Sequence, residues 1–255
     1  MKHERLYTVV TAISPVLVIC LWEGLVRTGA ISAIFLPPPS LILGALIHAF
    51  RAEDISTDLL VSSLRLVSGF LAGAGLALGC AFAMNLSRPL RWFLSPFMSL
   101  LYPIPKVALY PLLVIWLGTG DTSKVLLIAT GAFFPVLINT YRSLNDVPLL
   151  LVRAARDLGA NKRQVLLRVA LPWALPSAYA GGVIGAGLSL IMLVYAEMTG
   201  AERGIGYYTY SSATLFKTEE AFAGVLLIAL LGFFWYQLVV RLQKIHCPWK
   251  TDIRL

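Results

Sequence analysis

Charge is scarce in this 255-residue chain: Asp, Glu, Lys and Arg together make up 13% of it, against 58% hydrophobic residues. A soluble helical domain needs a polar face on each helix at the 3.6-residue period, and the long apolar runs here show none. That excludes an ordinary soluble fold. Cysteine is scarce too. Cys20 and Cys80 fall inside apolar runs and Cys247 near the end of the chain, so no disulfide framework is expected. His3, His48 and His246 are too far apart in sequence to suggest a metal site. No G-x-S-x-G nucleophile pattern occurs. The glycine-rich GTGDTSK at 118–124 fails as a phosphate loop, because Ser123 stands where Gly must precede the lysine and Val125 where Ser or Thr must follow it. The chain is therefore expected to hold no catalytic residue, metal or cofactor of its own.

Six stretches are long and apolar enough to cross a bilayer, at 6–27, 60–86, 92–118, 123–142, 170–196 and 220–241. They predict an all-α, polytopic membrane protein with a single transmembrane domain over 1–255. With the N-terminus in the cytoplasm, the inner segments hold 14 of the 21 Lys and Arg residues and net +10, whereas the remainder nets −2. This is the positive-inside asymmetry, and it places both termini and the 143–169 loop in the cytoplasm. The overall charge of +8 thus speaks for membrane topology rather than nucleic acid.

The spans are not uniform. Pro96, Pro103, Pro105 and Pro111 interrupt the third around Lys106, which lies about 20 Å from Trp92 at 1.5 Å per residue, near mid-membrane. Broken helices at that depth occur where they meet protein or a water-filled cavity, which favours transport. Lys106 is a candidate for the substrate pathway, as is Glu197 near the outer end of the fifth span. A structural ion pair between the two, or hydrogen bonds from Lys106 to carbonyls freed by the prolines, is the competing expectation. Gly69/Gly73, Gly75/Gly79 and Gly181/Gly185 stand four apart and suit close helix approach. LPPPS at 36–40 cannot continue a helix, and 41–50 predicts a short helix at the outer surface. The Gly- and Tyr-rich stretch 200–216 reads as an outer connection.

One basic island interrupts the apolar sequence: RAARDLGANKRQVLLRVALP, residues 153–172, with five Lys or Arg. Pro148 suits the start of a short helix, Gly159 a left-handed end, Asn161 the cap of a second short helix and Pro172 the start of the next span. Leu149, Leu150, Val152 and Leu158, with the small Ala154 and Ala155, give the first helix an apolar side without an obvious intramembrane partner, the mark of an interface.

The island resembles the cytoplasmic signature loop of type I ABC importer permeases, E-A-A-x3-G-x9-I-x-L-P. Ala154, Ala155, Gly159, Leu171 and Pro172 match it, Val169 stands for the Ile, and Arg153 replaces the Glu. LPPPSLILGAL, SSLRLVSGFLAG, the run from YPIPK to LINT and GIGY are similar to permeases of the nitrate, sulfonate, taurine and bicarbonate uptake group. The resemblance implies a prokaryotic inner-membrane subunit that pairs with a second copy of itself. It implies two ATPase subunits, which carry ATP and Mg, docking on the 146–172 loop through Ala154, Ala155, Leu158, Gly159, Leu171 and Pro172. It also implies a periplasmic or lipid-anchored binding protein that selects the substrate, a small organic or inorganic anion or, in related importers, a vitamin precursor. A transporter driven by an ion gradient is the alternative. It would need more intramembrane carboxylates and an inverted repeat, neither of which the sequence displays.

Overall fold

The computed structural model describes residues 2–249, with side chains from residue 13 onward. Among these the chain is helical throughout, without strands. The helices are α1 (Lys2–Arg27), α2 (Pro39–Ala52), α3 (Ile55–Leu86), α4 (Arg88–Leu101), α5 (Tyr110–Leu117), α6 (Asp121–Asn145), α7 (Leu149–Asp157), α8 (Lys162–Val165), α9 (Leu171–Gly200), α10 (Ile205–Thr214) and α11 (Thr218–His246).

Among the described residues, four helical stretches are long and apolar enough to cross a membrane: α3, α6, the run Lys162–Gly200 and α11. A fifth candidate is a bent pair, α4 with Lys106–Leu117, whose arms meet at 97°. The predicted third span is thus not one rod. Pro103 and Pro105 withhold two N–H donors in succession, and the backbone turns between Leu101 and a 3₁₀ turn at Lys106–Leu109. The first predicted span forms α1, but its side chains before residue 13 lie outside the described residues.

Helix α6 forms the centre: 61% of its apolar stretch is buried, against 28% to 39% for the other three. Neighbouring helices reach its backbone through glycines. A Cβ on Gly69 would sit 2.6 Å from Ile128 Cγ2, and one on Gly181 would sit 2.6 Å from the Pro135 carbonyl. Larger residues at these positions would push the helices apart, so close packing accounts for Gly69/Gly73 and Gly181/Gly185. Gly75 and Gly79 have open space around them instead. Around these approaches Leu66, Phe70, Leu127, Ile128, Leu193 and Trp235 form the main core, with Phe70 and Trp235 edge to face at 5.1 Å.

Two further features depart from the sequence expectation. Pro172 lies in the first turn of α9 as expected, but no break precedes it. Lys162–Gly200 is one continuous helical run, carried past the proline by a π-turn at Leu166–Ala170. In that turn Leu171 N–H donates to the Leu166 carbonyl five residues back, and the wider coil leaves room for the proline ring. The 200–216 stretch is mostly helical: α10 packs between α9 and α11. The helix predicted at 41–50 forms as α2, opened by Pro38 and Pro39.

Candidate functional site

The basic island folds largely as its residues dictate. Pro148 caps α7, and Gly159 ends it in the left-handed region at φ +82°, where Gly159 N–H donates to the Arg156 carbonyl at 2.8 Å. Asn161 then opens α8 with a reciprocal capping box: Gln164 N–H donates to Asn161 Oδ1 at 2.9 Å, and Asn161 N–H to Gln164 Oε1 at 2.8 Å. None of the α7 residues is buried. Leu149, Leu150 and Leu158 are 70%, 77% and 89% exposed, an uncovered apolar rim on a basic loop. A cleft of about 250 Å³ lies beside it, lined by Ala155, Leu158, Gly159, Gln164 and Arg168 among others.

The predicted docking residues therefore divide. Ala154, Ala155, Leu158 and Gly159 gather on α7 and its end. Leu171 and Pro172 lie past the π-turn, at the foot of α9. There Leu171 lines a separate apolar cavity of about 270 Å³ with Phe70, Val136, Thr140 and Val239.

Lys106 and Glu197 are not brought together. Lys106 Nζ donates to the Tyr102 carbonyl, in the break of the bent pair, where Pro105 offers no N–H. It also lies 5.1 Å from the Tyr102 ring centroid and 4.7 Å from that of Phe134. Of the two structural expectations for Lys106, the ion pair with Glu197 is absent and the carbonyl bond is present.

Glu197 is 1% exposed and belongs to a network that the sequence reading missed. Its carboxylate accepts from Arg65 Nη1 at 2.9 Å, Ser62 Oγ at 2.8 Å and Gly206 N–H at 2.9 Å. Ser62 Oγ accepts in turn from Ile205 N–H at 2.9 Å, so α10 begins directly over the carboxylate, the favourable place for negative charge. Arg65 also donates from Nε to Asp121 Oδ1 at 2.8 Å, at the start of α6, and from Nη1 to the Arg203 carbonyl at 2.7 Å. A Cβ on Gly206 would lie 2.7 Å from that of Glu197, which leaves no room for a side chain. The available signal was Arg65 itself, a cation inside the predicted 60–86 span that needed a partner.

Among the described residues the one hydroxyl paired with a carboxylate in this cluster, Ser62 on Glu197, is buried with it. The arrangement offers an apolar bundle, one exposed short helix, a buried charge cluster around Arg65 and Glu197, and a separate Lys106. Residues 75–250 match the family model described as the binding-protein-dependent transport system inner membrane component. The taurine transport system permease protein TauC of Escherichia coli (strain K12) is 34% identical over 91% of this chain and 86% of its own. The formylaminopyrimidine transport permease protein ThiX of Halalkalibacterium halodurans is 30% identical over 86% of this chain and 90% of its own. Among solved structures, a chain of the MetNI methionine ABC transporter superposes with a TM-score of 0.63 at 18% identity, covering 75% of this chain and 95% of that one. The fold and the relatives agree: the chain is a multi-pass membrane protein of the binding-protein-dependent transport permease family, an ABC importer permease.

Proposed function

We propose that two copies of this chain form the membrane pathway of an ATP-driven importer for a small organic anion. Two ATPase subunits dock on α7 from the cytoplasm and carry ATP and Mg, and a binding protein delivers the substrate from outside. The observation that carries this reading is α7 itself: a nine-residue helix with three bare leucines and small Ala154 and Ala155, framed by a Gly159 bend and an Asn161 cap. A helix of that shape fits a groove on a partner and moves with it. The charge asymmetry supports a cytoplasmic position for the loop and both termini. The relationship to TauC supports a sulfonate; the relationship to ThiX keeps a pyrimidine vitamin precursor as the second reading.

Affinity purification in mild detergent tests the docking. ATPase subunits are expected to accompany the native chain, and Ala155→Glu is expected to release them while the permease remains inserted and monodisperse. Retention of ATPase together with normal uptake in that variant would remove α7 from the coupling role.

A further inference from the structure

Lys106 is placed to do more than brace a bend. Its ammonium lies over Phe134, the fourteenth of the 25 residues of α6, and so is level with the middle of a helix long enough to span the bilayer. Among the described residues no carboxylate lies within ion-pair distance of it. One of its three donors is occupied by the Tyr102 carbonyl and two aromatic faces lie nearby, leaving donors and a full positive charge to spare. Lys124 makes an informative contrast. It too lacks a carboxylate, but it is 2% exposed and bonded to the carbonyls of Thr119 and Gly120, so nothing can reach it. Lys106 is only partly buried and open to an approaching ligand.

An apolar cavity is linked to it through Phe134. About 130 Å³ of partly open space is lined by Met84, Phe97, Met98, Leu101 and Phe133 among others; Lys106 does not line it, but Phe134 does, and its ring also faces the ammonium. At roughly 30 Å³ per water this is the volume of about four waters, but the walls offer a water few polar partners. Such a space suits a short aliphatic chain.

We propose that Lys106 and Phe134 form a transit site for a small organic anion, its charged head on the Lys106 ammonium and its aliphatic body in the cavity that Phe134 lines. This rests on reading the chain as an importer permease and adds a substrate preference to it: an alkanesulfonate or similar amphiphilic anion over a compact one such as nitrate. Attraction at a pathway site has to be weak, because the site must release what it takes up. The Tyr102 carbonyl, by competing for the same ammonium, keeps it so.

Calorimetric titration of the purified permease–ATPase assembly, free of nucleotide, tests the site with butanesulfonate and nitrate as probes. Butanesulfonate is expected to bind in the millimolar range and more tightly than nitrate. Lys106→Gln is expected to weaken it by about tenfold, Lys106→Arg to keep it within about threefold, and Phe134→Ala to narrow the gap between the two probes. Equal binding by the Gln variant, or none by the native assembly, overturns the site. Size-exclusion profiles of each variant separate lost binding from lost folding. Should no ATPase co-purify, the importer reading fails, and the same titration on the permease alone still decides the site.

Discussion

Arg65 and Lys106 are both cations within apolar sequence, and the bundle treats them in opposite ways. Arg65 is locked among α3, α6, α9 and the start of α10, with the buried carboxylate of Glu197 against it and Asp121 at its outer side. Lys106 has one carbonyl and two rings. A charge that is neutralised and hydrogen-bonded on several sides is engaged in holding helices together. A charge left without a counter-ion remains available to something else. The difference separates scaffolding from a candidate site more clearly than burial alone.

The largest effect is expected at Glu197. Glu197→Ala leaves the Arg65 guanidinium buried without its main counter-charge, which costs about 3–5 kcal/mol. The protein should then be recovered in poor yield or unfold at a markedly lower temperature in detergent. Adding Arg65→Met to that variant should restore much of the loss, since removing both charges is far less damaging than removing one. A double variant no better than Glu197→Ala would mean that the hydrogen bonds from Gly206 and Ser62 matter more than the charge.

A smaller change is expected at Lys106. Lys106→Met gives up one carbonyl bond and a cation–π contact, together about 1–2 kcal/mol, and removes a charge that nothing neutralises. Its thermal stability should therefore stay close to that of the native protein. A loss as large as that of Glu197→Ala would place Lys106 with Arg65 as scaffolding. The smallest effect is expected at Asp121, whose side chain is 68% exposed. Asp121→Asn should cost at most about 1 kcal/mol, and less still at high salt. A cost several times larger would show that the outer side of Arg65 is not open to solvent screening.

The sequence made some of these features visible and concealed others for physical reasons. The ends of α7 were legible because proline, glycine and asparagine act through their own backbone geometry, which a local window contains. The break at Lys106 was legible on the same grounds. The Arg65–Glu197 pair was not, because its members stand 132 residues apart and only the packing of α3 against α9 joins them. Of the two expectations for Lys106, the one that paired it with Glu197 gives way to the Arg65–Glu197 pair. Pro172 marks the first turn of α9 but gives no sign of the π-turn before it, because a proline suits a new helix as well as the turn after a π-bulge. Helix α10 was hidden because Gly204 and Gly206, read as loop residues, are there to bring backbone against a carboxylate.

The unbroken run from Lys162 to Gly200 has a mechanical consequence. Thirty-nine residues at 1.5 Å each make a rod about 58 Å long. One end carries the Asn161 cap beside α7, and Glu197, three residues from the other end, holds the cluster with Arg65. A hinge at Pro172 would absorb a push on the loop within the first turn. Under the coupling proposed for the loop, a run that pivots as one body by about 5° about one end swings the other by roughly 5 Å over that length. That is about one helical turn, enough to shift the arginine cluster relative to α6 without any helix unwinding.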